Sequence, residues 1–130
     1  AWRVLSTKSC RNGNRIMPGD IKRGEIYWVD WNPSRGSEQS GLRPALVIQN
    51  DIGNKFSSTT IVAALTTAIE KSYPFLVKIT SKESGLPKDS TVNLATIMTI
   101  DKTRLAGKCG ELSEAKMSEV NEAIGASLSL

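Results

Sequence analysis

Short runs rich in β-branched and other apolar residues recur along this chain, separated by polar stretches that contain glycine. The run TTIVAALTT at 59–67 is typical of a buried strand. The run EIYWVDW at 25–31 alternates, which predicts a strand with two different faces. One face would carry Ile26 and Trp28, and the other Tyr27, Val29 and Trp31. This pattern predicts a fold built mainly of β-strands.

The remaining elements follow from the same reading. Strands are predicted at 44–49, 73–80, 90–100 and 106–112, with a bend in the third of these, and loops at 50–58 and 81–89. Pro44 is expected at the first position of its strand, because proline cannot donate to a ladder. Asp101 is expected to cap one helical turn.

The C-terminal segment has a helical period instead. Ser113 is a plausible N-cap, and Glu114 suits the positive end of a helix dipole. An apolar stripe follows at Met117, Val120, Ile124 and Leu128. Short strands, long polar loops and one final helix predict a small barrel or sandwich with a C-terminal helix.

The length of 130 residues predicts one domain. Residues 1–20 read as a polar, basic tail, and residues 21–130 as the folded domain. Met17 is a candidate native start, which would make residues 1–16 an upstream extension. We expect no membrane span, because no apolar run approaches the roughly 20 residues that a membrane helix needs.

The net charge of +4 is unevenly distributed along the chain. Counting Lys and Arg against Asp and Glu, residues 1–20 carry +3 (4 − 1), residues 21–110 carry +4 (12 − 8) and residues 111–130 carry −3 (1 − 4). A basic middle segment favours an anionic ligand, although such a balance also occurs in proteins that bind no nucleic acid.

The chain has no histidine. This excludes Ser-His-Asp and Cys-His catalysis by this chain alone, and it excludes zinc sites that use histidine. The sequence also shows no clustered set of acidic ligands, so no metal site is expected, and no cofactor is expected. The two cysteines, Cys10 and Cys109, are far apart in sequence, and we expect free thiols in a reducing cytoplasm, with a disulfide left open.

The stretch GSEQSGLRP at 36–44 is far too long and polar for a tight hairpin turn. It contains two glycines, a carboxylate, an amide, two hydroxyls and a guanidinium. Arg43 is the best-placed candidate for binding phosphate, because its planar fork matches two phosphate oxygens and the proline after it favours extended backbone. On spacing alone a structural ion pair is an equal alternative, and Glu38 and Gln39 also fit a solvated loop. Thr66, which nearly ends its strand, also fits a simple β-former.

The segment IKRGEIYWVDWNPSRGSEQSGLRPALVIQND resembles the MazF/PemK family of toxin endoribonucleases, as do TIVAALTT, PKDSTVNLATIMTIDKTRL and MSEVNEAI further on. The resemblance covers residues 21–130. It implies a small SH3-like β-barrel with a C-terminal helix that forms a homodimer. The implied activity is metal-independent, sequence-specific cleavage of single-stranded RNA, leaving a 2′,3′-cyclic phosphate and a 5′-hydroxyl. A cognate antitoxin with an acidic, flexible tail is the implied protein partner.

The resemblance also implies roles for particular residues. Arg43, Thr66 and Glu38 would be the catalytic residues. Ser37, Gln39 and Gly41 would bind RNA. The chain departs from close relatives at Ala95, Thr96 and Met98, where a polar pair and a basic residue are common, so the resemblance implies the chemistry but leaves the recognised base sequence open.

Two other functions remain open from the residues. One is a non-enzymatic toxin on the same fold that poisons a protein target such as a gyrase. The other is an RNA-binding module without catalysis. An assay of RNA cleavage with the purified protein distinguishes these two functions from a ribonuclease activity.

Overall fold

A computed structural model describes residues 21–31, 41–67 and 71–130 of the chain. The proposed tail at 1–20, and with it Met17 and Cys10, lies outside the described residues. The elements in chain order are β1 (Glu25–Asp30), β2 (Leu42–Val47), α1 (Asp51–Phe56), β3 (Thr59–Thr67), β4 (Leu76–Ile79), α2 (Ser81–Ser84), β5 (Ser90–Asp101), a 3-10 turn (Lys102–Arg104), β6 (Leu105–Glu111) and α3 (Glu114–Leu128). The predicted mainly β fold is confirmed.

The strands form one antiparallel sheet in the order β4-β5-β3-β2-β1-β6. Each side of this sheet supports its own apolar cluster. The first face carries Ile26, Trp28, Leu46, Ala63, Leu65, Val92 and Leu94, packed with Val120 and Ala123 of α3. The second face carries Tyr27, Val29, Ala45, Val47 and Val62, packed with Ile100, Leu105 and Trp31. The alternation predicted for β1 is therefore confirmed.

The sheet curls but does not close into a barrel. No ladder joins the edge strands β4 and β6 within the described residues. Instead α2, which follows β4, touches β6 at backbone distance. A Cβ on Gly85 would lie 2.2 Å from the carbonyl oxygen of Cys109, and one on Gly110 would lie 2.4 Å from that of Ser84. The gap between the edge strands β4 and β6, called the seam below, is thus filled by α2. The backbones can approach this closely only because Gly85 and Gly110 have no side chain.

Two segments expected to be loops contain helices. In α1, Asn50 caps the helix by accepting from the N–H of Gly53 at 2.7 Å. The buried amide of Asn54 accepts from the Thr60 hydroxyl at 2.7 Å and donates to the Gln49 carbonyl at 2.9 Å. These polar contacts, not an apolar stripe, fix α1, which explains why the apolar pattern missed it.

The second missed helix, α2, has a capping box. Thr80 accepts from the N–H of Glu83, and the Glu83 carboxylate accepts from the N–H of Thr80. The helix then stops at Gly85, whose φ of 80° is a left-handed conformation suited to glycine. A helix this short has no room for an apolar period, so only its cap signals were visible in the sequence.

Two strands, β2 and β4, differ from their predicted bounds by more than one residue. β2 begins at Leu42, so Pro44 is its third residue and not its first. The proline is tolerated because the β3 ladder begins only at Ala45, which leaves Pro44 paired on the β1 side alone. β4 is confined to Leu76–Ile79, within the predicted 73–80.

In the C-terminal half, the structure agrees more closely with the elements predicted from the sequence. β5 bends as predicted, since its register against β3 shifts between Ala63 and Ala64. The predicted caps are confirmed: Asp101 accepts from the N–H of Thr103, and Ser113 from that of Lys116. Leu128, expected on the buried stripe of α3, is 55% exposed, because the helix extends past its contacts with the sheet. No helix within the described ranges is long and apolar enough to cross a membrane.

We expect Gly85→Ala to destabilise the fold strongly. A residue other than glycine in left-handed backbone costs about 1–3 kcal/mol, and the clash with Cys109 adds to this cost. Gly107→Ala is the matched control, because a Cβ there meets nothing within 4 Å. Denaturant unfolding of both variants measures the difference. Equal stability of the two variants would contradict the role assigned to the seam.

Candidate active site

Arg43 and Thr66 lie on neighbouring strands and on the same face of the sheet. In β2, Arg43 follows the alternation of Ala45 and Val47, and in β3, Thr66 follows that of Val62. The strands pair Val47 with Val62 and Ala45 with Ala64. The ladder ends at Ala45 and Ala64, and its register, continued two residues past that end, sets Arg43 opposite Thr66. Both residues are exposed, so one ligand on the second face can reach both side chains.

The backbone holds each of these residues from its other side. Arg43 is paired with Val29 of β1, and Thr66 with Thr91 of β5. The Thr66 hydroxyl donates to the carbonyl oxygen of Thr67 at 2.9 Å. Its oxygen keeps the capacity to accept a further hydrogen bond.

Trp31 and Gly41, the described residues on either side of positions 32–40, meet close to Arg43. The N–H of Trp31 donates to the carbonyl oxygen of Gly41 at 3.0 Å, two residues before Arg43. Gly41 is therefore fixed at the site. The other predicted loop residues, Ser37, Glu38 and Gln39, lie outside the described residues, so their roles stay predictions.

Two residues near this pair were not among the predicted site residues. Within the described residues, the buried side-chain polar atoms without a hydrogen-bond partner are Trp31 Nε1 and Thr91 Oγ1. Trp31 packs against the apolar cluster of the second face, and Thr91 lies on that face opposite Thr66. A buried hydroxyl without a partner costs about 1–3 kcal/mol. The two buried polar atoms without a partner therefore lie on the same face of the sheet as Arg43 and Thr66.

A row of residues that includes Arg43 and Thr66 runs across the strands on the second face of the sheet. Its members, in strand order from β4 to β1, are Lys78, Thr91, Thr66, Arg43 and Val29. The row contains no carboxylate. The nearby carboxylate of Asp89 accepts from the N–H of Ser81 at 2.8 Å. The row is thus cationic and rich in hydroxyl groups, which suits a phosphate ester.

Contacts at β6 and the 3-10 turn shift the pKa values of two groups, Lys108 and Asp101. Burial lowers the pKa of Lys108, but its ion pairs with Glu25 at 3.0 Å and Glu111 at 3.1 Å outweigh burial, so the pKa is raised overall. The pKa of Asp101 is lowered, chiefly by the hydrogen bond from the Thr103 N–H. Both shifts arise from contacts that hold β6 and the 3-10 turn. Within the described residues, no three Cys, Asp or Glu side chains cluster as a metal site would require.

Comparison with known proteins identifies the family. Residues 22–128 match the model of the PemK-like, MazF-like toxins of type II toxin–antitoxin systems. The chain belongs to this family. It is 50% identical over 111 residues to endoribonuclease EndoA of Bacillus subtilis, a match that covers 85% of this chain and 96% of that protein. It is also 50% identical over 111 residues to endoribonuclease MazF of Staphylococcus epidermidis, with 85% and 92% covered.

Solved structures of the PemK/MazF family share this fold. One is a mycobacterial endoribonuclease in complex with its cognate antitoxin, with a TM-score of 0.71 and 26% identity over 85% of this chain and 96% of that one. Another is MazF of Deinococcus radiodurans, with a TM-score of 0.67 and 25% identity over 85% and 97%. The predicted family membership is therefore confirmed, whereas the site residues stay predictions.

The register at the site can be tested by cross-linking. If the β2–β3 register continues past the pair Ala45 and Ala64, Arg43→Cys with Thr66→Cys should form a disulfide on oxidation. Facing residues in antiparallel strands have Cα atoms about 4.5–5.5 Å apart, within the range that a disulfide spans. Cys10 and Cys109 are first replaced by serine. In the control pair, Arg43→Cys with Thr67→Cys, the second cysteine faces the opposite side of the sheet. Cross-linking of the control pair alone would mean that the register is shifted by one residue.

Proposed function

We propose that this chain is an endoribonuclease toxin of a type II toxin–antitoxin system, which cleaves single-stranded RNA, including mRNA, at specific sequences in the cytoplasm. The observation that carries the proposal is that Arg43 and Thr66 are exposed on the same face of two neighbouring strands, β2 and β3. The proposal is further supported by 50% identity to proteins named as endoribonucleases.

The proposed reaction uses the substrate's own 2′-hydroxyl as the nucleophile. The 2′-oxygen loses its proton and forms a bond to phosphorus, and the bond from phosphorus to the 5′-oxygen breaks. The products are a 2′,3′-cyclic phosphate and a 5′-hydroxyl, whose oxygen gains a proton. No external water enters this step, so the reaction needs no metal to activate one.

Arg43 and Thr66 act on the charge that develops in this reaction. The negative charge on the phosphorane oxygens grows towards the transition state. A guanidinium held by a strand therefore stabilises the transition state more than the ground state. The Thr66 hydroxyl donates a second hydrogen bond to the same group. Glu38 is the third proposed catalytic residue, since a carboxylate can accept a proton or place the substrate.

Substrate selection is assigned to the polar loop and to the bent part of β5. Ser37, Gln39 and Gly41 are proposed to contact RNA, and Gly41 is fixed beside Arg43. Ala95, Thr96 and Met98, the three positions at which the family resemblance implies a departure from close relatives, are exposed on β5. These exposed side chains are available to alter which bases are recognised.

Two partners complete the proposal. The first is a second copy of this chain, because large apolar side chains are exposed at Ile52, Phe56, Met98, Leu128 and Leu130. The second is a cognate antitoxin with an acidic segment that occupies the RNA site. Residues 21–110 carry a net charge of +4, which attracts such a segment, and a mycobacterial relative has been solved with its antitoxin.

We expect Arg43→Ala to lose a factor of roughly 10² to 10³ in kcat, the usual effect of removing one transition-state donor. Thr66→Ala should lose somewhat less. Arg43→Lys keeps the charge but not the planar fork and should recover only part of the activity, and Thr66→Ser should recover most. Lys82→Ala, which removes an exposed charge on α2, is the control. Unchanged kcat in folded Arg43→Ala would remove this residue from the mechanism.

The proposed role of the 2′-hydroxyl as the nucleophile is tested with a modified RNA substrate. A transcript cleaved by the protein is end-mapped, and the same sequence is then made with a single 2′-deoxyribose just before the scissile phosphate. We expect this substrate to resist cleavage and the unmodified one to be cut in EDTA. Normal cleavage of the deoxy substrate would mean that an external water attacks. RNA binding without any cleavage, or no effect on RNA at all, would favour the non-catalytic functions.

For the partners, we expect the toxin to sediment as a homodimer. The cognate antitoxin should protect RNA from it, and their association should slow as salt is raised, because exposed charges are screened. Stopped-flow association at several salt concentrations and an RNA protection assay measure both effects. An active monomer, or an antitoxin that binds without protecting RNA, would contradict the shared-site arrangement.

A further inference from the structure

The hydroxyl of Thr91 has no hydrogen-bond partner within the described residues, although it is buried. Thr91 is 0% exposed and lies between Thr66 of β3 and Lys78 of β4. Valine has nearly the same shape and would fill this place without an unmet hydroxyl. The hydroxyl is therefore unfavourable for the free fold, which suggests a use for it beyond packing.

The neighbouring Thr66 supplies the missing acceptor. A threonine hydroxyl has one proton to donate and two lone pairs to accept with. In this structure the Thr66 proton is committed to the carbonyl oxygen of Thr67 at 2.9 Å. To donate to a phosphate, Thr66 must release that carbonyl, and its side chain then loses the bond that fixed its rotamer.

We propose that Thr91 is a positioning residue that holds Thr66 in its reactive orientation. When a phosphate is bound, Thr66 turns about χ1 and the Thr91 hydroxyl donates to Thr66 Oγ1. Facing threonines on paired strands commonly hydrogen-bond in this way. This inference rests on the proposed ribonuclease function, whose donor is Thr66.

The new bond would act in two ways. It replaces the hydrogen bond that Thr66 gives up, so the reactive rotamer is no longer disfavoured. It also polarises the Thr66 hydroxyl, because an oxygen that accepts a hydrogen bond becomes a stronger donor. Thr91 itself is too deeply buried to touch the phosphate directly, so its effect passes through Thr66.

The test is Thr91→Val, with steady-state kinetics on the mapped RNA substrate. We expect kcat to fall about 3- to 10-fold, the effect of one ordinary hydrogen bond, with KM unchanged. The melting temperature should stay the same or rise, because an unmet buried hydroxyl is removed. Thr91→Ser keeps the hydroxyl and should restore kcat. Thr99→Val, on the same strand but away from the row, is the matched control.

A double-mutant cycle then separates positioning from packing. If Thr91 acts through Thr66, adding Thr91→Val to Thr66→Val should cause no further loss of kcat. Should Thr91→Val fold poorly, Thr91→Ala gives the same comparison with Thr91→Ser. Unchanged kcat in Thr91→Val, an equal loss in Thr91→Ser, or a full additional loss in the Thr66→Val background would overturn the proposal. A wild-type protein that cleaves no RNA would instead refute the proposed function.

Discussion

The antiparallel register between β2 and β3 is the constraint on which the candidate site depends. Side chains alternate with a period of two, so a slip of one residue would send Arg43 to the first face while Thr66 stayed on the second. The register is held by apolar packing on both faces at once. Ala45 and Val62 are buried in one cluster, and Leu46 and Ala63 in the other. A slip of β2 would exchange Ala45 and Leu46 between the two clusters while Val62 and Ala63 stayed in place. The cost of repacking both clusters therefore fixes the face on which Arg43 lies.

The bend in β5 has a similar role for Thr91. Next to the site β5 pairs Thr91 with Thr66, but beyond the register shift it pairs Ile97 with Ala63. The shift lets the far half of β5 bring Ile100 into the cluster of the second face. In the near half the regular pairing with β3 is kept, and there Thr91 faces Thr66. One half of β5 therefore contributes to the apolar core, and the other half contributes Thr91 to the candidate site.

Much of the fold could be read from the chain because its signals are local. Alternation in β1, β-branched residues in β3 and the serine cap of α3 each involve neighbours in sequence. The helices α1 and α2 could not be read in this way. α1 is stabilised by Asn54, whose partner Thr60 lies on another element, and α2 by its cap and by contact with β6 through Gly85. Leu128 fits the helical period, yet the sheet does not reach it.

The sequence by itself determined which chemical groups were available. The absence of histidine, the guanidinium of Arg43 and the hydroxyl of Thr66 restrict the chemistry, and the family pattern selects among the remaining possibilities. The tertiary structure alone decided which groups meet. Arg43 and Thr66 are 23 positions apart (66 − 43), and Thr91 is 25 positions beyond Thr66 (91 − 66). Their common row results from strand pairing and from burial on both faces of the sheet, and these interactions join residues that no local pattern connects.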